Sequence, residues 1–185
     1  MILPVIAYGH PVLKRKGKEI EKQSEALTTL IENMWETMYN AQGVGIAAPQ
    51  IGKSLRLFVI DTVQVMEEGE EENGFKKVFI NAQILEETGD FWSYEEGCLS
   101  IPHVRGDVER QAKIKIKYQN ENLKEVTEEY DGINARVIQH EYDHIEGVLF
   151  TEKLKPLKKR LIKRKLVSIK KGKVTADYSL KFAVK

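Results

Sequence analysis

The chain has 185 residues, of which 42% are apolar, 31% charged and 8% aromatic, with a mean hydropathy of −0.40; this balance excludes a disordered, collagen-like or membrane-spanning chain. The net charge of +1 conceals an asymmetry, because residues 153–173 hold eleven Lys or Arg and no acid, leaving 18 basic against 28 acidic residues elsewhere. A basic strip is attached to an acidic body.

The length suits one core, so a single domain over 1–185 is expected, with 153–185 as a basic helix-and-strand extension. The opening MILPVIAYGHPVLKRKGKEI has its basic residues after the apolar stretch, contains two prolines and lacks a small-residue cleavage pattern. It does not read as a signal peptide, no apolar run is long enough to span a bilayer, and a cytoplasmic location is expected. Cys98 is the only cysteine, which excludes an internal disulfide.

Leu27, Leu30, Ile31, Met34, Trp35 and Met38 share one stripe of a helix over about 25–41, with Ser24 as its N-cap and Gly43 as its stop. LRLFVID (55–61) and KVFIN (77–81) read as strands, and the acidic stretch between them as a solvated loop. KIKIKY (113–118) predicts a strand with one wet face, followed by a turn at 119–122 and a polar strand through Tyr130. Asp131 would cap a helix from Ile133 to about Glu146, a basic helix would follow Pro156, and TADYSLKFAV (175–184) reads as a last strand. Without regular βαβ alternation the fold class is α+β: antiparallel sheets packed around a central helix carrying HEYDH, then the basic helix and the final strand.

His140, Glu141 and His144 form H-E-x-x-H. Four residues are about one helical turn, so both imidazoles leave one face and can grip a metal ion with Glu141 beside it. The alternative is a set of groups that satisfy one another on a half-buried helix. A catalytic metal usually takes a third protein ligand. The extended motif that ends in a third histidine fails, because position 150 is Phe150, and the later acids Glu146, Glu152 and Asp177 are poorly placed. Cys98 in EGCLS is the strongest candidate, although a lone cysteine is more often a small buried hydrophobe. In GVGIAAPQ, Gly43 and Gly45 permit close backbone approach and Gln50 offers an amide that donates and accepts. A phosphate loop ending in GKS fails on spacing, since Ala47 stands where the first glycine should.

GVGIAAPQ, EGCLS and QHEYDHIEG, in that order and with ILPVIAYGHPVL before them, resemble the motifs of the peptide deformylase family over roughly residues 2–155. The resemblance implies a hydrolase that removes the N-formyl group from the formylmethionine of nascent polypeptides and releases formate. By it, Cys98, His140 and His144 are metal ligands, Glu141 the catalytic carboxylate, and Gln50 with the Leu99 N–H the donors to the developing oxyanion. Gly45 pairs with the substrate backbone, Arg105 lies near the peptide's far end, and Glu96 with Arg110 forms a supporting ion pair, with Gly43 and Gly97 in the motif loops. Ile46, Ile133 and Val137 are the candidates for an apolar methionine slot, beside which Arg136 occupies an often apolar position. The implied native cofactor is one divalent ion, Fe2+, with Zn2+, Ni2+ or Co2+ as substitutes.

Leu154, Leu157, Leu161, Ile162, Leu166 and Ile169 predict that the basic helix packs one side on the body. Its lysines form either a solvated face or a ribosome contact through rRNA phosphates. Two rival functions are a small metallopeptidase with a different third ligand, which Cys98→Ser would leave intact, and a non-catalytic RNA-binding module, in which Glu141→Ala would be silent.

Overall fold

The computed structural model describes residues 1–183. In chain order it contains β1 (Val5–Ile6), α1 (Glu25–Asn40), β2 (Gly45–Ala47), β3 (Leu57–Asp61), β4 (Lys76–Cys98), β5 (Ile101–Gln119), β6 (Glu125–Asp131), α2 (Gly132–Ile145), α3 (Pro156–Lys170) and β7 (Leu180–Lys181). Strands β2-β3-β4-β5-β6 form an antiparallel sheet in that order, and β1 pairs with β7. The α+β class holds, with the refinement that the small β1–β7 sheet is parallel.

Strand β3 shows why the sheet sits between two helices. Its run Leu57-Phe58-Val59-Ile60 is fully buried, and successive side chains point to opposite faces. Leu57 and Val59 pack with Leu27, Ile31, Met34 and Met38 of α1, whereas Phe58 and Ile60 pack with Ala135, Ile138 and Ile145 of α2. A third cluster joins Ile101, Val104 and Val108 of β5 to Leu154, Ile162 and Ile169 on and before α3. Helix α2, which carries HEYDH, is thus held against the sheet by its apolar side while its other side faces the β4–β5 hairpin.

Local chemistry sets the helix ends. The Ser24 hydroxyl accepts the Leu27 N–H at 3.1 Å, and Pro156 opens α3 where a missing N–H costs nothing. Helix α1 ends with Gln42, not Gly43, in the left-handed region at φ 54°. Asp131 holds the N-cap position of α2, but its side chain makes no capping bond.

Three other expectations change. Strands β4 and β5 extend far beyond KVFIN and KIKIKY into one long hairpin, whose register shifts at four places, the last between Gly97 and Cys98; such bulges bend the ribbon and re-aim side chains. Leu157 and Leu161 point to solvent at 68% and 69% exposure, leaving Ile162 and Ile169 as the buried contacts of α3. The last strand shrinks to Leu180–Lys181, because its partner β1 has only two residues; the expected end at Val184 lies outside the described residues.

Candidate active site

Helix α2 presents His140 and His144 one turn apart, with ring centroids 5.2 Å from each other. Cys98 comes from the last position of β4, where the hairpin turns back along α2. Its Sγ lies 3.3 Å from His144 Nε2, and one donor atom from each of Cys98, His140 and His144 falls within 4.8 Å of the others. Cys98 is partly buried against the β5–α3 core cluster, with its sulfur beside the imidazoles.

Glu96, two residues before Cys98 in β4, orients this cluster. Its Oε2 meets His140 Nδ1 at 2.9 Å, which leaves Nε2 of that ring to face the cysteine. Its Oε1 accepts from Arg110 Nε at 2.7 Å and from Arg136 Nη1 at 3.1 Å. Arg110 also donates to Asp143 at 2.8 Å. Two buried arginines thus face two carboxylates, as desolvation of these charges demands.

Burial alone would raise the Glu96 carboxyl, but bonds from His140 and Arg110 hold it far below the ordinary carboxylate range. Burial would lower His140, yet contacts with Cys98 and Glu96 keep it well above its usual value. His144, desolvated and beside that positive ring, is pushed well below. His144 Nδ1 is buried without a partner. One thiolate and two imidazoles suit a borderline-soft divalent ion, and the carboxylate behind His140 is the outer support such ligands usually have; these residues fit a metal.

Glu141 behaves differently. It is 4% exposed, its Oε2 has no partner, and burial pushes its carboxyl up to about 7 against the opposing pull of His140. A Cβ on Gly45 would lie 2.7 Å from Glu141 Oε1, so only glycine there leaves the carboxylate its position. Gln50 stands in a short 3₁₀ turn, Ala48–Ile51. Its Oε1 accepts the Ala47 N–H at 2.8 Å, which turns Nε2 toward Ser100 Oγ at 3.3 Å and Cys98 Sγ at 3.5 Å.

A cleft of ≈ 420 Å³ opens over this constellation, lined by Gly43, Gly45, Gln50, Gly97, Cys98, Leu99, Arg105, Ile133, Val137, His140 and Glu141 among others. Ile46 is a correction: it is fully buried in the α1 core and lines no part of the cleft. A bend at Val44 brings that residue to the cleft instead. Arg105 sits at the rim, exposed, and donates to Glu95 at 2.9 Å. Arg136 is almost wholly buried, donates to the Trp92 and Val108 carbonyls at 2.7 and 2.9 Å, and lies 4.5 Å over the Trp92 ring. The sequence marked Arg136 by its unusual position but not by these partners. Ala176, Asp177 and Tyr178 also wall the cleft, and nothing in the sequence pointed to them.

A family profile for polypeptide deformylase matches residues 2–160. The chain is 57% identical to a peptide deformylase of Christiangramia forsetii, covering 98% of this chain and 96% of the relative. It is 55% identical to that of Cytophaga hutchinsonii over the full length of both. A solved peptide deformylase from Legionella pneumophila superimposes with a TM-score of 0.81 at 38% identity, covering 92% of this chain and 96% of that one.

Proposed function

The chain belongs to the peptide deformylase family, hydrolases that remove the N-formyl group from nascent polypeptides, and we propose that its residues divide that work as follows. Cys98, His140 and His144 hold one divalent metal ion, with Fe2+ as the native metal and Zn2+, Ni2+ or Co2+ as substitutes. When bound, the ion supplies the Lewis acidity that makes water nucleophilic near neutral pH. The observation that carries this reading is the convergence of three ligand atoms within 4.8 Å of one another beside the buried Glu141 carboxylate, whose Oε2 has no hydrogen-bond partner.

Glu141 acts as the general base. Its burial, which raises the carboxyl, suits it to taking a proton from attacking water and returning it to the leaving amine. As the formyl carbon is attacked its oxygen becomes negative. Gln50 Nε2 and the Leu99 N–H donate to that oxygen, and one such donor typically lowers the barrier by about 2.7–4 kcal/mol. Strand β2 is the sheet edge, so Gly45 offers main-chain groups to an extended peptide without displacing another strand. Ile133 and Val137, with Val44 in place of Ile46, receive the methionine side chain, and Arg105 lies toward the far end of the peptide. Apolar discrimination amounts to only about 1–3 kcal/mol per methylene, so residues near methionine in size should be accepted.

We assign the whole chain, 1–185, to one catalytic domain with 153–185 as its basic extension. The cytoplasm, where nascent formylated chains emerge, is the compartment we propose; among the described residues no helix is long and apolar enough to cross a membrane. The lysine-rich outer face of α3, interrupted by exposed Leu157 and Leu161, supports a ribosome contact through rRNA phosphates. Such binding should fade steeply with salt, and failure of the intact protein to co-sediment with ribosomes at low salt would end that part of the reading.

Anaerobic assay of formate release from a formyl-Met peptide with ferrous iron tests the whole assignment. Glu141→Ala should keep its metal and lose turnover by at least about 10²-fold. A variant with near-normal turnover would remove Glu141 from the chemistry.

A further inference from the structure

The family match ends at residue 160, yet the chain beyond it returns to the active site. After α3, Gly172 at φ 68° reverses the direction, and Phe182 packs over that glycine. Leu180 and Lys181 then pair with β1. Between these anchors Ala176, Asp177 and Tyr178 wall the cleft. The Tyr178 hydroxyl donates to the Leu99 carbonyl at 2.7 Å. The Thr175 carbonyl meets His103 Nε2 at 2.7 Å.

The turn after Cys98 is braced on each side. Ser100, two residues after Cys98, has its carbonyl held by the Tyr8 N–H at 2.8 Å, just beyond β1, and β1 is the strand that pairs with the tail. Leu99 has its side chain packed where a Cβ on Gly43 would come within 2.9 Å of Cδ1, and its carbonyl is tied to Tyr178. These contacts hold the Leu99 side chain and the peptide that follows it, and so narrow the rotation about the Leu99 N–Cα bond that aims the N–H. We propose that Tyr178 is a positioning residue: the C-terminal tail, through its hydroxyl, sets the Leu99 turn so that the N–H aims at the oxygen of the reacting formyl group.

The proposal rests on the reading of Leu99 and Gln50 as oxyanion donors, and the test separates the two. In the full-length protein, Tyr178→Phe deletes one hydroxyl and keeps the ring. Loss of one hydrogen bond that orients a transition-state donor is expected to lower kcat about tenfold. The KM for a short formyl-Met peptide and the metal content should stay unchanged. Independently of turnover, amide hydrogen exchange of the segment 98–101, followed by mass spectrometry, should quicken in the variant. In a Gln50→Ala background, where the oxyanion is already poorly held, the Tyr178→Phe effect should differ from its effect alone, as for groups acting on one atom. If Gln50→Ala is impaired but Tyr178→Phe turns over and exchanges like wild type, the tail proposal falls and the site reading stands. If Gln50→Ala is also unimpaired, the oxyanion reading falls and takes the proposal with it. Loss of metal or a rise in KM in Tyr178→Phe would overturn the proposal in favour of a general structural role.

Discussion

Gly45→Ala tests how tightly Glu141, the proposed general base, is seated. The added methyl would lie 2.7 Å from Glu141 Oε1, 2.8 Å from its Cγ and 2.9 Å from its Cδ, whereas ordinary contact begins at 3.4 Å. The carboxylate must move by about 0.7 Å, since the backbone of β2 is fixed by its pairing with β3. A misplacement of 1 Å at a reacting group costs about 10²-fold, so kcat/KM should fall roughly 30-fold. Overpacking of this kind costs about 1–3 kcal/mol, and at about 2–4 °C per kcal/mol the protein still folds. The assay is formate release from a formyl-Met peptide, with metal content and thermal melting as controls. Activity within about twofold of wild type would refute the argument. So would a full loss from Gly45→Ala added to Glu141→Ala, because the methyl would then be acting on something other than the carboxylate.

Three further outcomes follow from the same network. Cys98→Ser should lose metal under dialysis that leaves the wild type loaded, since a hydroxyl is a far poorer ligand than a thiolate; retained metal and turnover would favour a different third ligand. Arg136→Met leaves two carbonyls and one Glu96 oxygen short of a donor, which should cost about 3 kcal/mol and lower Tm by roughly 6–12 °C; an unchanged melt would show the guanidinium is dispensable. Glu128 would be raised by burial, but bonds from Lys77, Tyr130 and Tyr118 hold it below its usual value. Its contribution is then present above the unfolded pKa of about 4.3 and lost as pH falls through the folded one. The Tm gap between wild type and Glu128→Gln should accordingly narrow from pH 7 to pH 3, and a gap independent of pH would contradict this.

The legible parts of the sequence were those governed by local periodicity. The four-residue spacing of His140 and His144 announced its geometry, and Ser24 and Pro156 marked helix starts that the structure keeps. What the sequence concealed depends on long-range pairing. Residues 83–95 of β4 are mostly exposed, so they carry no alternation by which to recognise a strand, and yet that strand delivers Cys98 to α2. Ile46 was misplaced for a related reason: strand period alone cannot say which face of β2 meets the cleft, and the bend at Val44 decides it. The tail was foreseen as a strand but not as a wall, because its approach to Leu99 depends on a single tyrosine in an otherwise unremarkable stretch.

Glu96 and Glu141 show most clearly what sequence alone leaves undecided. Both are buried carboxylates beside His140, and either residue type can serve as a base. Glu96 has an arginine on Oε1, a second bond to the same guanidinium on Oε2, and a histidine, so taking up a proton would discard several charge-assisted bonds. It is locked as an anion and holds the His140 ring in place. Glu141 has no hydrogen bond to lose at Oε2 and is disfavoured in its charged form by burial, so taking up a proton there sacrifices no bond. Environments that push two acids apart assign their roles. Here the difference comes from the arginines of β5 and α2, which reach Glu96 and leave Glu141 alone.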